Sequence, residues 1–218
     1  MKKNYEMDMC SGPILGKLLT FTIPLIFSGI LQLLFNAADV IVVGRFAGSQ
    51  SLAAVGSTTA LINLMINVFI GLSVGVNVIV ARYYGAKREK DVQDTIHTAM
   101  ALSIVSGLFL IIVGQLLSRP MLELMGTPDD VIDKSTIYMR IIFIGMPANM
   151  IYNFGSAILR AVGDTKRPLY FLTAAGVINV VLNLFFVIMF RMDVAGVALA
   201  TAISQAISAF LVILCLME

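Results

Sequence analysis

The sequence predicts an all-α integral membrane protein with six transmembrane helices. Three observations carry that prediction. The 218 residues are 59% hydrophobic, with a mean hydropathy of +0.94. Charged residues make up 13% of the chain, against about 25% in a soluble domain. The apolar residues also fall into six long runs, at about 15–43, 52–81, 95–117, 136–158, 169–190 and 195–216. Each is long enough to cross about 30 Å of hydrocarbon as a helix rising about 1.5 Å per residue. Residues 1–13 read as a polar cytoplasmic tail, and 14–218 as one six-helix unit without long linkers.

The first run contains Pro24, which is expected to bend it. It also carries Asp39 in an otherwise apolar stretch. A carboxylate inside hydrocarbon costs about 2.5–3.5 kcal/mol on insertion scales, so an intramembrane Asp is first read as a functional residue. At about 100° per residue, Gln32, Asn36 and Asp39 share one face of the helix. That face must meet other helices or a water-filled cavity.

The second run places Asn63, Asn67 and Asn77 on one face. Its Gly71-Leu-Ser73-Val-Gly75 matches the G-x-S-x-G pattern of hydrolase nucleophiles, but that pattern needs a strand before it and a helix after it. Here it lies within a long apolar run, and the one histidine, His97, sits near the cytoplasmic start of another. The reading is therefore not an enzyme, and Gly71 and Gly75 read as a helix-packing face. The third run has no comparable polar stripe, and its Ser103 and Ser106 read as packing.

The fourth run carries Tyr138, Asn149, Asn153 and Ser156 on one face, and Pro147 is expected to bend it. The link that follows, Leu159 to Pro168, has helix-end chemistry. Gly163 can close a helix in the left-handed conformation. Asp164 or Thr165 can cap the next, and Pro168 suits its first turn. Arg160, Lys166 and Arg167 are expected to reach the inner headgroups. The fifth run carries Asn179 and Asn183 one turn apart. The sixth carries Thr201, Gln205 and Ser208 on one face.

Basic residues set the orientation. Ten of the fifteen flank the connections grouped with the amino terminus, namely Lys2, Lys3 and Lys17, then Arg82, Lys87, Arg88 and Lys90, then Arg160, Lys166 and Arg167. The other five are Arg45, Arg119, Lys134, Arg140 and Arg191. The richer side is cytoplasmic by the positive-inside rule, which puts both termini inside. The basic residues form no single patch, so the net charge of +2 does not indicate nucleic acid. Cys10 and Cys215 form neither a disulfide framework nor a metal spacing.

One neutral stripe would suit helix packing, since Asn, Ser and Thr hydrogen-bond across membrane helices for about 0.6–2 kcal/mol each. Polar stripes on five of the six runs, together with Asp39, favour a shared polar cavity instead. Its candidate lining residues are Gln32, Asn36, Asn63, Asn67, Tyr138, Asn149, Asn153 and Gln205. Asp39 is the candidate coupling residue. The oxygens of Asn36, Asn179, Asn183 and Thr201 suit a sodium ion or a hydrogen-bonded proton.

These residues together resemble the multidrug and toxic compound extrusion (MATE) family. The resemblance covers nearly the whole chain from Pro24. It rests on Asp39 followed by Val43-Gly44-Arg45, Leu52-Ala-Ala-Val-Gly56, Ala81-Arg-Tyr-Tyr-Gly-Ala86 and Gly145-Met-Pro147. Leu159-Arg-Ala-Val-Gly-Asp-Thr165 is its most specific piece. It implies that the six helices form one lobe, the amino-terminal one, of a two-lobed antiporter. Such a protein exports drugs and other organic cations across the cytoplasmic membrane of a prokaryote in exchange for protons or sodium, with no other cofactor. By that resemblance, Asp39 matches the first-helix Asp of the family's cation site, Asn179 its fifth-helix Asn and Thr201 its sixth-helix Thr. These three are the implied sodium ligands. Tyr138 and Asn153 match fourth-helix positions. Some members carry an Asp one turn after the fifth-helix Asn, where this chain has Asn183.

The chain ends after six helices, so a carboxy-terminal lobe or a second copy is the expected partner, beside membrane lipid and the exported solute. A flippase for lipid-linked precursors is the nearest alternative, and it calls for basic residues in the cavity. A membrane assembly subunit that transports nothing is another, but it leaves Asp39 without a role.

Overall fold

The computed structural model describes residues 14–217, so the expected tail at 1–13 lies outside the described residues. The elements are α1 (Ile14–Phe46), α2 (Ser49–Gly85), α3 (Glu89–Leu124), α4 (Asp129–Ile144), α5 (Met146–Ala161), α6 (Lys166–Leu184) and α7 (Asp193–Met217). A π turn, Phe185–Met189, continues α6. Five helices are long and apolar enough to cross a membrane, and α4 with α5 makes a sixth, bent span.

The helices outrun the apolar stretches that predicted them. The third was expected over 95–117 and runs Glu89–Leu124, and the second extends to both sides of 52–81. Hydropathy marks where hydrocarbon ends, whereas a helix ends where its backbone groups find other partners. Glu89 and Asp91 in the first turn of α3 favour continuation there, because carboxylates interact well with a helix amino terminus. Likewise most of the stretch between the third and fourth runs, expected over 95–117 and 136–158, is helix. Arg119 lies 3.1 Å from Glu123 one turn on and 3.0 Å from Asp133 on α4.

The fourth run, expected over 136–158, is two helices meeting at Gly145 with a 48° bend. Pro147 lacks the N–H that would bond back to Phe143, and its ring crowds the preceding turn. Gly145 lies against α7, where a β-carbon would fall 3.0 Å from Ala202 Cβ. Pro24 does not act alike, and α1 passes through it without a break.

Helix α5 is the centre of the lobe, packed by α2, α3 and α7. Met146, Met150 and Phe154 on it are fully buried. Small residues let neighbours approach closely, as membrane helices require in the absence of a hydrophobic drive between them. A β-carbon on Gly107 of α3 would fall 2.3 Å from Pro147 Cα, and one on Gly155 would fall 2.1 Å from Val212 Cγ1. Ser103 and Ser106 lie buried on the same face of α3, as packing residues. Gly71 and Gly75 do not pack within the lobe. Both are exposed, with nothing within 4 Å of an added β-carbon.

The 159–168 link has the expected helix ends. Gly163 has φ +88°, and the Asp164 N–H bonds back to the Leu159 carbonyl at 2.9 Å. Asp164 is the cap, its Oδ1 accepting from the N–H groups of Lys166 and Arg167 at 3.1 and 3.0 Å. Arg167 turns inward rather than to headgroups. Its Nε lies 3.1 Å from Asp164 Oδ2, and it donates to Cys215 Sγ at 2.9 Å. At the opposite end, Lys134 Nζ donates to Asp193 Oδ2 at 2.9 Å and Ser51 Oγ at 3.1 Å. It thereby ties together the starts of α2, α4 and α7.

Candidate functional site

Residues of α1, α2, α5, α6 and α7, with Tyr138 and Ile142 of α4, line an open-sided cavity of about 410 Å³. Asp39, half-buried on α1, faces it. Asn183 Nδ2 donates to Asp39 Oδ1 and, at 3.1 Å, to Asn179 Oδ1. Asn179 Nδ2 then donates to Thr201 Oγ1 at 3.3 Å. A continuous polar chain therefore runs from α1 through α6 to α7. Spacing explains it: Asn179 and Asn183 are one helical turn apart on α6, so both present to one side. The four residues expected to couple ions are brought into one cluster.

Asn183 Oδ1 is fully buried and has no hydrogen-bond partner among the described residues. An amide oxygen so placed leaves its acceptor lone pairs unused. The oxygens of the Asp39–Asn183–Asn179–Thr201 cluster are a carboxylate, two amide carbonyls and a hydroxyl. Those are hard ligands that suit sodium or a hydrogen-bonded proton.

The other expected lining residues divide. Gln32, Asn36, Asn63, Tyr138, Asn149, Asn153 and Gln205 line the cavity. Asn153 Nδ2 also donates to the Asn149 carbonyl and Oδ1 at 2.8 and 2.9 Å, which fixes both side chains. Asn67 does not line it and is exposed. The α2 residues at the cavity are Val55, Thr59, Ile62, Asn63, Ile66 and Ile70. Asn67 sits about 90° around the helix from the middle of that set. Asn77 serves packing, donating to the Ala157 carbonyl of α5 at 2.7 Å.

Sequence reading missed Thr59, Tyr152 and Ser204 as lining residues. Thr59 lies one turn from Asn63, and Ser204 one turn from Thr201, so extending each stripe by a turn finds them. Phe35, Met146 and Gly176 also line the cavity, and apolar residues in a membrane helix carry no such signal. Among the described lining residues Asp39 is charged and none is basic. Ser73, of the hydrolase-like string, is buried and donates to the Ile70 carbonyl at 2.7 Å, while His97 is exposed on α3.

Residues 24–185 match the MatE family. The chain is 35% identical over 198 residues to "Probable multidrug resistance protein YoeA" of Bacillus subtilis (strain 168), covering 89% of this chain and 42% of that protein. It is 32% identical over 201 residues to "Probable multidrug resistance protein YpnP" of the same organism, covering 92% and 45%. The fold superposes with a TM-score of 0.86 and 26% identity on a solved structure described as the outward-facing conformation of a multidrug resistance MATE family transporter of the MOP superfamily, covering 92% of this chain and 44% of that one. The chain thus spans less than half the length of the relatives it matches.

Proposed function

Since the chain belongs to the MatE family, we propose that it is the amino-terminal lobe of a cation-coupled antiporter that exports drugs and other organic cations. The observation that carries this reading is the chain from Asp39 through Asn183 and Asn179 to Thr201, in which Asp39, Asn179 and Thr201 line a cavity that offers one negative charge and Asn183 lies buried behind them. A cation or an aromatic drug bearing one meets Asp39 there, together with neutral amides and the apolar surfaces of Phe35 and Met146. A proton or a sodium ion on Asp39 competes for the same charge. Export follows if the coupling ion and the drug favour different shapes of the cavity, because a ligand drives a conformational change only through its differential affinity for the two states.

The remaining parts of the reading follow the same family logic. The lobe sits in the cytoplasmic membrane of a prokaryote with both termini inside, as the distribution of basic residues favours. A second six-helix lobe, from a continuing chain or a second copy, closes the open side of the cavity and supplies the partner bundle that alternating access requires. The lack of basic lining residues among the described residues weighs against the flippase alternative, since a phosphate-bearing headgroup calls for them.

The test is ion-gradient-driven efflux of a fluorescent organic cation from proteoliposomes holding the two-lobed transporter. Asp39→Asn keeps the shape of the side chain and removes its charge. We expect membrane insertion at the wild-type level and a loss of gradient-driven export of more than about tenfold, the effect of removing roughly 1.4 kcal/mol of coupling. Export by the Asn variant at the wild-type rate, with the same gradient dependence, refutes the assignment.

A further inference from the structure

Helix α1 is the least embedded element of the lobe, and it rests mainly on α6. Besides the Asp39–Asn183 bond, one contact fixes how closely the two helices approach. The ring of Phe35 on α1 occupies the space where a side chain at position 176 of α6 would begin. A β-carbon built on Gly176 would fall 1.9 Å from Phe35 Cε2 and 2.1 Å from Cζ. Gly176 is buried, and both residues border the cavity. Asp39 stands one turn beyond Phe35 on α1. Asn179 and Asn183 stand one and two turns beyond Gly176 on α6. The ring in its notch and the carboxylate at its amide are therefore successive rungs of one helix pair.

We infer that Gly176 is a positioning residue, a socket whose missing side chain lets Phe35 seat and so brings Asp39 within reach of Asn183. The inference rests on the proposed coupling role of Asp39. Two features single out this contact. Gly107, Gly114 and Gly155 make comparably close contacts between other helices, but among the described glycines Gly176 is the one whose close contact joins α6 to α1, whereas at Gly16 and Gly29 of α1 an added β-carbon meets nothing within 4 Å. The contacting group at Gly176 is a flat ring at the cavity edge, able to leave the notch as a unit, rather than backbone. Release of Asp39 from Asn183 leaves the Phe35–Gly176 contact to hold α1 at this level. The socket thereby sets the position that α1 returns to when the carboxylate is recaptured.

The experiment uses spin labels at Leu33 on α1 and Val177 on α6, both exposed on the lobe surface, in a transporter whose Cys10 and Cys215 are replaced by serine. Gly176→Ala is expected to lengthen and broaden the α1–α6 distance distribution. It is also expected to raise the ion concentration that half-saturates export about tenfold while retaining most of the maximal rate. Phe35→Ala with Gly176→Ala removes the ring that the new methyl would meet. That double variant is expected to restore the short distance, since the steric stop is gone, with a distribution that stays broader than wild type because the ring no longer seats. If Gly176→Ala alone does not fold but the double variant does, the socket is supported by the rescue itself. An unchanged distance in Gly176→Ala, a double variant as perturbed as the single one, or an unchanged half-saturating concentration overturns the inference. Failure of the underlying coupling reading shows separately, as normal gradient-driven export by Asp39→Asn with the distances still obeying the Phe35–Gly176 pattern.

Discussion

Gly114 of α3 gives up the volume that Phe143 of α4 occupies: a β-carbon on Gly114 would fall 2.1 Å from Phe143 Cγ and 2.3 Å from its Cβ. Phe143 is fully buried two residues before the break at Gly145, so the contact holds the outer half of the bent span against α3. The ring root cannot yield without moving the α4 backbone. Gly114→Ala should therefore destabilise the lobe by about 1–3 kcal/mol, the usual cost of overpacking a filled interior. Thermal melting of the detergent-solubilised protein checks this, with Gly29→Ala as the control, since nothing lies within 4 Å there. Equal melting temperatures for the two variants would contradict the packing argument.

Asn67 and Asn77 separate polar residues that hold helices from those that do not. Asn77 donates to the Ala157 carbonyl at 2.7 Å, whereas Asn67 is exposed. Replacing Asn77 by Leu removes that bond between α2 and α5, at a cost of about 1–2 kcal/mol. In a chain of this size that lowers the melting temperature by roughly 2–8 °C. Asn67→Leu should change it by less than about 2 °C, as surface substitutions usually do.

This contrast marks how far sequence reading reaches. Asp39 stands out because a charge in hydrocarbon needs a reason, and Asn179, Asn183 and Thr201 follow from helical spacing together with the family resemblance. Asn63, Asn67 and Asn77 looked equivalent on a helical wheel, and the structure uses one for the cavity, leaves one exposed and gives one to α5. A wheel fixes which residues share a face but not which part of that face each neighbour covers. Phe35 and Gly176 carried no signal at all, because an apolar residue on a membrane helix reads alike whether it meets lipid, core or cavity. Pro147 announced the bend in the fourth span. The close approach of Gly145 to α7 at the break is a contact distant in sequence.

The orientation has a direct check. Lys87, in the turn between α2 and α3, and Asp130, in the first turn of α4, are both exposed and lie at opposite ends of α3. With Cys10 and Cys215 replaced, a single cysteine at either position can be treated with an impermeant thiol reagent in intact cells. The charge distribution predicts labelling at 130 and protection at 87 until the cells are opened. The reverse pattern would invert the lobe.

The last prediction concerns Asn183, whose amide nitrogen serves both Asp39 and Asn179 while its oxygen, fully buried, finds no partner among the described residues. An amide that donates to a carboxylate matches the ionised form of Asp39. The free oxygen beside it matches a bound cation, or a donated proton once the amide turns over. Asn183 can therefore serve both states of the coupling site, but it carries no charge in either. Asn183→Ala should weaken ion coupling less than Asp39→Asn does. We expect the half-saturating ion concentration to rise roughly tenfold, about 1.4 kcal/mol, through loss of one neutral ligand and of the bond that aims Asp39. The maximal rate should stay within a factor of about three, because the titrating carboxylate remains. Asn183→Asp makes the sharper case. It places a second acid in contact with Asp39, so their titrations become coupled. Its export should then depend on pH in two steps where the wild type shows one. Proteoliposome efflux across a pH series, at fixed driving force and matched protein density, measures both variants. A single-step profile for Asn183→Asp, together with wild-type ion dependence for Asn183→Ala, would remove Asn183 from the coupling site and leave its amide a packing bond between α1 and α6.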